Sequence, residues 1–271
     1  MKQKVIVVTG ASSGIGLATV ERLVKDGHIV YGGARKEEGL KRIESFGGKG
    51  LIMEMTEHDT LEKAVHSVLD TEGRIDVLYN NAGYGCYGAV EDVPLGDARH
   101  QFEVNLFSYA KLVQLVLPTM RKQGSGTIIN TSSVGGKVYT PLGAWYHASK
   151  HALEGWSDCL RIELKQFGID VVLIEPGMIE TNFAEVIMRP MMIRSEGGPY
   201  ETIVNNMMKN MGGGTIKASN PSVIANEVSK AVSAKRPKTR YVAGKMAKPL
   251  MFIRKYGGDR VFDRLVGSWI K

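Results

Sequence analysis

Cysteine is nearly missing from this chain: of 271 residues only Cys86 and Cys159 carry thiols, and they form no C-x-x-C pair. An intracellular enzyme with free thiols is the simplest reading of that scarcity. Long apolar runs are lacking as well. None approaches the roughly 18 residues needed to span a bilayer, so a soluble, cytoplasmic protein is expected. The opening Met1-Lys2-Gln3-Lys4-Val5-Ile6-Val7-Val8 sets basic residues before apolar ones, but Thr9-Gly10 stops the run short of a signal segment. It reads instead as a buried strand. Nothing resembles a linker, and with 43% hydrophobic residues the whole span 1–271 is expected to form one domain around one core. Acidic residues are scarce in the tail. Residues 235–271 hold 11 Lys/Arg against Asp259 and Asp263, or +9, which leaves −2 for the rest of a chain of net charge +7. A nucleic-acid-binding domain with a basic surface throughout is therefore not expected, while an acidic partner for the tail stays open.

What is present alternates between strand and helix. Val5 to Val8 ends at Thr9-Gly10-Ala11-Ser12-Ser13-Gly14-Ile15-Gly16, after which Leu17 to Lys25 has helical spacing. Strand, glycine turn and helix in that order suit a pyrophosphate. Glycines let backbone approach the phosphates, and the first N–H groups and dipole of the helix stabilise their charge. A purely structural glycine turn is the alternative. His28 to Ala34 reads as a second strand, whose end faces the adenosine ribose in such folds. It closes on Gly33-Ala34-Arg35-Lys36 with no carboxylate, so Arg35 suits the 2′-phosphate of NADP, unless it and Lys36 are merely solvated residues opening a helix.

Further strands are expected at Gly50 to Glu54, Ile75 to Tyr79, Thr127 to Ser132, Ile169 to Glu175 and Arg240 to Val242. Helices are expected at His58 to Glu72, Leu95 to Gln123, Trp145 to Phe167 and Ser222 to Ala234. Such alternation predicts an α/β, three-layer, doubly wound parallel sheet with helices on both faces. Asn80-Asn81-Ala82-Gly83 follows a strand's carboxyl end, where ligands of open sheets sit, although local Asx turns use the same residues. Asn105 lies among Val104, Leu106 and Phe107, bonding either backbone in the core or a water in a proton path. Tyr146 and Lys150 share one face of their helix, and Ser133 ends the preceding strand. His147 and His151 form an i, i+4 pair, but without a third ligand no metal is expected. Residues 182–220 read as a substrate lid, with five methionines between Met188 and Met208 and a hinge-like Gly212-Gly213-Gly214 run, though methionines more often simply pack. The tail, about 247–271, repeats Val261-Phe262, Leu265-Val266 and Trp269-Ile270 every four residues, an amphipathic helix. It docks on its own fold, on a sister subunit, over the substrate mouth or on an anionic membrane.

Together, Thr9-Gly10-xxx-Gly14-x-Gly16, Asn80-Asn81-Ala82-Gly83, Asn105, Ser133, Tyr146-xxx-Lys150 and Pro176-Gly177-x-Ile179-x-Thr181 resemble the short-chain dehydrogenase/reductase family, a Rossmann-type fold. The resemblance covers roughly residues 1–185 and implies a sheet of about seven strands. It implies that Asn105, Ser133, Tyr146 and Lys150 are catalytic. Gly10, Ser12, Ser13, Gly14, Ile15 and Gly16 would wrap the cofactor phosphates. Ile179 and Thr181 would meet the nicotinamide carboxamide, and Arg35, Glu54, Met55, Asn81, Ala82, Gly83, Tyr146, Lys150, Pro176 and Gly177 complete the expected cofactor-binding set. Two positions depart from the pattern: Glu54 stands where many members have Asp, and Ser13 where many NADP-using members have a basic residue. NADP(H) preference then rests on Arg35, alone or with Lys36.

The wording Ser133-Val134-Gly135-Gly136 and the basic tail are similar to 17β-hydroxysteroid and retinol dehydrogenase-like members. The expected activity is NADP(H)-dependent interconversion of a mainly apolar alcohol and its carbonyl. Tyr146 would be the acid, its phenol lowered by Lys150; Ser133 would hold the substrate oxygen, and Asn105 a water. A 3-oxoacyl-thioester reductase and a non-catalytic NADP-binding sensor or scaffold are the alternatives. A homodimer or homotetramer through the helices at 95–123 and 145–167 is expected.

Overall fold

The computed structural model of the chain describes residues 2–212 and 217–271. Seven strands, β1 (Val5–Val8), β2 (Ile29–Ala34), β3 (Lys49–Ile52), β4 (Val77–Asn80), β5 (Gly126–Thr131), β6 (Ile169–Pro176) and β7 (Arg240–Ala243), form one sheet. Their order is β3-β2-β1-β4-β5-β6-β7, and every pairing is parallel. Parallel neighbours require crossovers, supplied by α1 (Gly14–Lys25), α2 (Glu37–Ser45), α3 (His58–Glu72), α4 (Leu95–Phe102), α5 (Ser108–Gln123), α6 (Ala144–Leu164) and α9 (Ser222–Ser233). Between β6 and α9 lie α7 (Phe183–Ser195) and α8 (Glu201–Gly212), and α10 (Ala247–Gly267) follows β7.

Strand alternation divides the core. Ile6 and Val8 of β1 face one layer with Val20 and Leu23 of α1, Ile43 of α2 and Val228 of α9. Val5 and Val7 face the other, with Leu61 and Val65 of α3, Leu112 and Val116 of α5 and Leu153 of α6. Because β1 and β4 are covered on both sides, their sequences are apolar runs rather than alternating ones. The order reverses between β1 and β4, so the carboxyl ends of these strands frame a crevice, the usual ligand position in open sheets.

Three elements differ from their sequence-based expectation. The Leu95 to Gln123 helix is broken by a π turn, Glu103–Phe107, around Asn105. The loosely patterned span after β6 holds two helices, while Gly213 and Gly214 of the expected hinge lie outside the described residues. The tail helix starts at Ala247 and bends at Gly258, whose φ of 70° and ψ of −177° are non-helical. Beyond that bend Phe262 and Val266 are buried with Val138 and Leu250, so the tail docks on its own fold.

Candidate active site

The glycine turn after β1 is shaped by close approach. Gly10 has φ +60°, and a Cβ there would sit 2.7 Å from the Cα of Ala82. A Cβ on Gly16 would overlap the Gly10 carbonyl oxygen. Asn81 clamps the turn: its backbone N–H donates to Thr9 Oγ1 at 2.9 Å, and its Nδ2 donates to the carbonyls of Thr9 (3.0 Å) and Gly10 (3.2 Å). Ser13, at the N-cap of α1, makes no side-chain cap, and the first turn carries no acidic residue. The first-turn amides thus face outward with their positive dipole end uncompensated. Gly14 brings the loop after β6 against the turn, since a Cβ there would lie 3.0 Å from Thr181 Cγ2. A bare backbone cradle beside an uncapped helix end fits the pyrophosphate of a nicotinamide dinucleotide.

At the ribose end, Arg35 is 73% exposed and meets Glu54 only at 3.9 Å, leaving most of its guanidinium donors in solvent. Glu54 itself is held by the chain, its backbone N–H donating to Thr60 Oγ1 at 2.9 Å. Met55 is buried in the core with Leu61 and Val65 of α3. Pro176 closes β6, and Gly177 and Met178 hydrogen-bond to Ala243 and Lys245, tying that loop to the start of the tail; Ile179 bridges to Ser219.

The side chains expected to handle protons meet at the ends of β4 and β5. Tyr146 and Lys150 lie on the first turns of α6, both buried. Ser133 lies beside the Tyr146 phenol, whose ionisation it eases, and accepts from the Gly135 N–H at 2.9 Å. Lys150 Nζ donates to the Thr131 carbonyl at 2.8 Å. Gly83 sits between the next pair: a Cβ there would be 3.1 Å from Asn105 Oδ1 and 3.6 Å from Lys150 Nζ. The π turn aims Asn105 inward, where Nδ2 donates to the Tyr84 carbonyl (3.1 Å) and to Ser149 Oγ (3.2 Å), and Oδ1 accepts from the Tyr84 N–H (3.2 Å).

Electrostatically the pair differs from expectation. Burial pushes the Tyr146 phenol up to about 12, opposed by the neighbouring Ser133. Burial also brings Lys150 down to about 7, opposed by the Glu154 carboxylate. The expected lowering of the phenol by Lys150 is not a property of these side chains alone. Dry surroundings disfavour both charged forms, so each group tends to neutrality.

Several residues here carried no readable signal. Tyr146 stacks among Tyr87 (5.6 Å) and Phe183 (5.5 Å), in a buried apolar wall with Ile187, Met191, Val204 and Met207. Ile270, at the far end of the chain, packs onto the same wall, and Asn206 holds its carbonyl at 3.2 Å. Asn80, Asn130 and Ser157 form a buried chain across β4, β5 and α6, with bonds of 2.9 and 3.0 Å. Behind Lys150, Arg240 binds Glu154 (2.9 Å) and Asp158 (2.7 Å) and lies 3.2 Å from Glu175, while Lys137 meets Glu154 at 2.8 Å. Burial pushes Glu175 up to about 7, helped by the neighbouring Glu154. The His147 ring is engaged by the Gly135 carbonyl at 2.9 Å and by Thr140 at 3.0 Å, and His151 by the His147 carbonyl at 2.8 Å. The two rings are therefore not a free zinc pair, and among the described residues no cluster of three ligands occurs.

Comparison with known proteins gives one consistent result. The family model described as short chain dehydrogenase matches residues 4–191. An uncharacterized oxidoreductase of Escherichia coli K12, YbbO, is 33% identical over 265 residues, 97% of this chain and 94% of that one. An NADPH-dependent 3-dehydrocapnine reductase of Ornithobacterium rhinotracheale is 35% identical over 277 residues, 96% and 94% of the two chains. The crystal structure of a short-chain dehydrogenase from Streptomyces avermitilis superposes with a TM-score of 0.77 at 29% identity, covering 99% of this chain and 97% of that one.

Proposed function

Since the chain belongs to the short-chain dehydrogenase family and is an oxidoreductase, we propose that it is NADP(H)-preferring and interconverts a mainly apolar ketone and its secondary alcohol. The observation carrying this reading is the setting of Tyr146. The Tyr146 phenol, with Ser133 beside it, stands in a buried, mainly apolar wall of Tyr87, Phe183, Ile187, Met191 and Met207. Bound NADPH supplies the hydride. Gly10, Gly14, Ile15 and Gly16 of the turn, with Ser12 and Ser13, hold its phosphates, and Arg35 takes the 2′-phosphate as an exposed guanidinium with spare donors.

Ser133 Oγ donates to the substrate oxygen and keeps it within reach of the Tyr146 hydroxyl, which gives up its proton as negative charge develops there. Lys150, fixed by Thr131, holds the nicotinamide side and stabilises the phenolate left behind. Asn105, buried in its π turn, keeps Tyr84 and Gly83 in place beside Lys150 and anchors the proton path. The named relative that uses NADPH on a 3-dehydro substrate supports the reductive direction and the cofactor.

The test is a steady-state panel of NADPH and NADH oxidation over long-chain ketones, steroids, retinal and acyl thioesters. NADPH-driven turnover of the apolar ketones is expected. Turnover of acyl thioesters alone, or equal use of both cofactors, overturns the proposal.

A further inference from the structure

The outer face of α10 ahead of the Gly258 bend stands exposed. Ala247 and Leu250 are buried, Arg254 lies over the Tyr139 ring, and the opposite face of this short helix carries Lys248, Phe252, Lys255 and Tyr256 at i, i+4, i+7 and i+8. Phe252 is 64% and Tyr256 66% exposed, their ring centroids 4.7 Å apart. Two neighbouring aromatic rings, tilted by 49° and with Lys255 Nζ 5.1 Å from the Tyr256 centroid, are costly in water unless something covers them. A shallow cleft of about 500 Å³ beside them is lined by Lys137, Met251, Phe252, Arg254, Lys255 and Tyr256.

Charge decides what covers this face. The two tail acids are engaged, Asp259 with Arg254 and Asp263 with the Tyr139 hydroxyl. Lys245, Lys248, Lys255, Arg260 and Arg264 have no carboxylate partner among the described residues. A second copy seated by a two-fold axis would set this cation-rich face against itself, which opposes association. An anionic surface with an apolar interior satisfies both features: ammonium groups reach the headgroup phosphates while Phe252 and Tyr256 enter the acyl boundary. No helix among the described residues is long and apolar enough to cross a membrane, so the contact is one of lying on the surface.

We propose that the Lys248–Phe252–Lys255–Tyr256 face of α10 docks the protein on an anionic lipid bilayer. The same tail ends at Ile270 on the apolar wall around Tyr146. Docking therefore brings the substrate chamber close to the lipid, a consequence that rests on the function proposed above, whereas docking itself is measured without turnover.

The experiment is co-sedimentation of the full chain with phosphatidylcholine vesicles, with and without phosphatidylglycerol. Binding to the phosphatidylglycerol-containing vesicles that weakens with salt is expected. The pair Phe252→Ser/Tyr256→Ser and the pair Lys248→Glu/Lys255→Glu should each weaken it by roughly tenfold or more, with the molecular mass by light scattering and NADPH oxidation unchanged. Should the aromatic pair fail to fold, loss of anionic preference in the charge pair carries the result. The proposal is overturned if the native chain binds neither vesicle or both equally, or if both variants bind as it does. A drop in mass on removing the two rings would assign the face to a second copy instead.

Discussion

Ser133, Tyr146 and Lys150 each depend on a neighbour the sequence placed but could not orient. Ser133 is held by the Gly135 N–H, so its hydroxyl proton is free to point toward Tyr146 or a substrate oxygen. Ser133→Ala is expected to lower kcat/KM by about 10²–10³, and Tyr146→Phe by about 10²–10⁴, with dinucleotide binding, followed by fluorescence titration, retained in both. Retained turnover in the phenylalanine variant would remove Tyr146 from the proton-donor role. Arg35 meets the Glu54 carboxylate at a long 3.9 Å. Arg35→Glu should therefore shift the ratio of kcat/KM for NADPH over NADH downward by roughly 10–100-fold, the worth of a charge-assisted bond; an unchanged ratio would dissociate cofactor choice from this residue. Motif spacing singles these groups out as candidates because the proposed chemistry asks for a given residue type at each position. The packing of Met55 into the core and the His147 bonds to Gly135 and Thr140 were not legible, because both depend on elements distant in sequence.

At the scale of elements, α6 carries more than the Tyr-Lys pair. One turn beyond Lys150 it buries Glu154, which with Glu175 of β6 competes for Arg240 of β7 and Lys137. Glu175 has its carboxyl raised to about 7 by burial first and by Glu154 second. The folded chain thus holds a proton there that the unfolded chain releases at ordinary carboxylate pH. The stabilisation this gives is present below pH 4.5 and lost as pH rises through about 7. Glu175→Gln should flatten that decline, read as urea midpoints compared at pH 5 and pH 7.5; an unaltered pH slope would mean that Glu175 is ionised throughout. The strands and most helices were readable from β-branched runs and glycine stops. The π turn around Asn105 was not, since its extra residue per turn is set by the bonds to Tyr84 and Ser149 rather than by local propensity.

For the whole molecule, the chain closes on itself through its tail. Phe262 is fully buried with Val138, a few residues past Ser133, and Ile270 joins the wall around Tyr146. Phe262→Ala is expected to cost about 3–5 kcal/mol of unfolding free energy by denaturant titration, and to raise KM for the substrate more than for the dinucleotide. A loss of stability with both KM values unmoved would separate tail docking from the substrate chamber. By itself the sequence determined the parallel α/β sheet, the glycine turn and the shared helix face of Tyr146 and Lys150, because strand periodicity, close backbone approach and i, i+4 spacing are local constraints. Only the tertiary structure decided that burial pushes Tyr146 and Lys150 toward neutrality, that Glu154, Glu175 and Arg240 come together, and that Ile270 packs on the apolar wall around Tyr146. Each of these is a matter of which surfaces lose water together, and that is settled between segments up to the length of the chain apart.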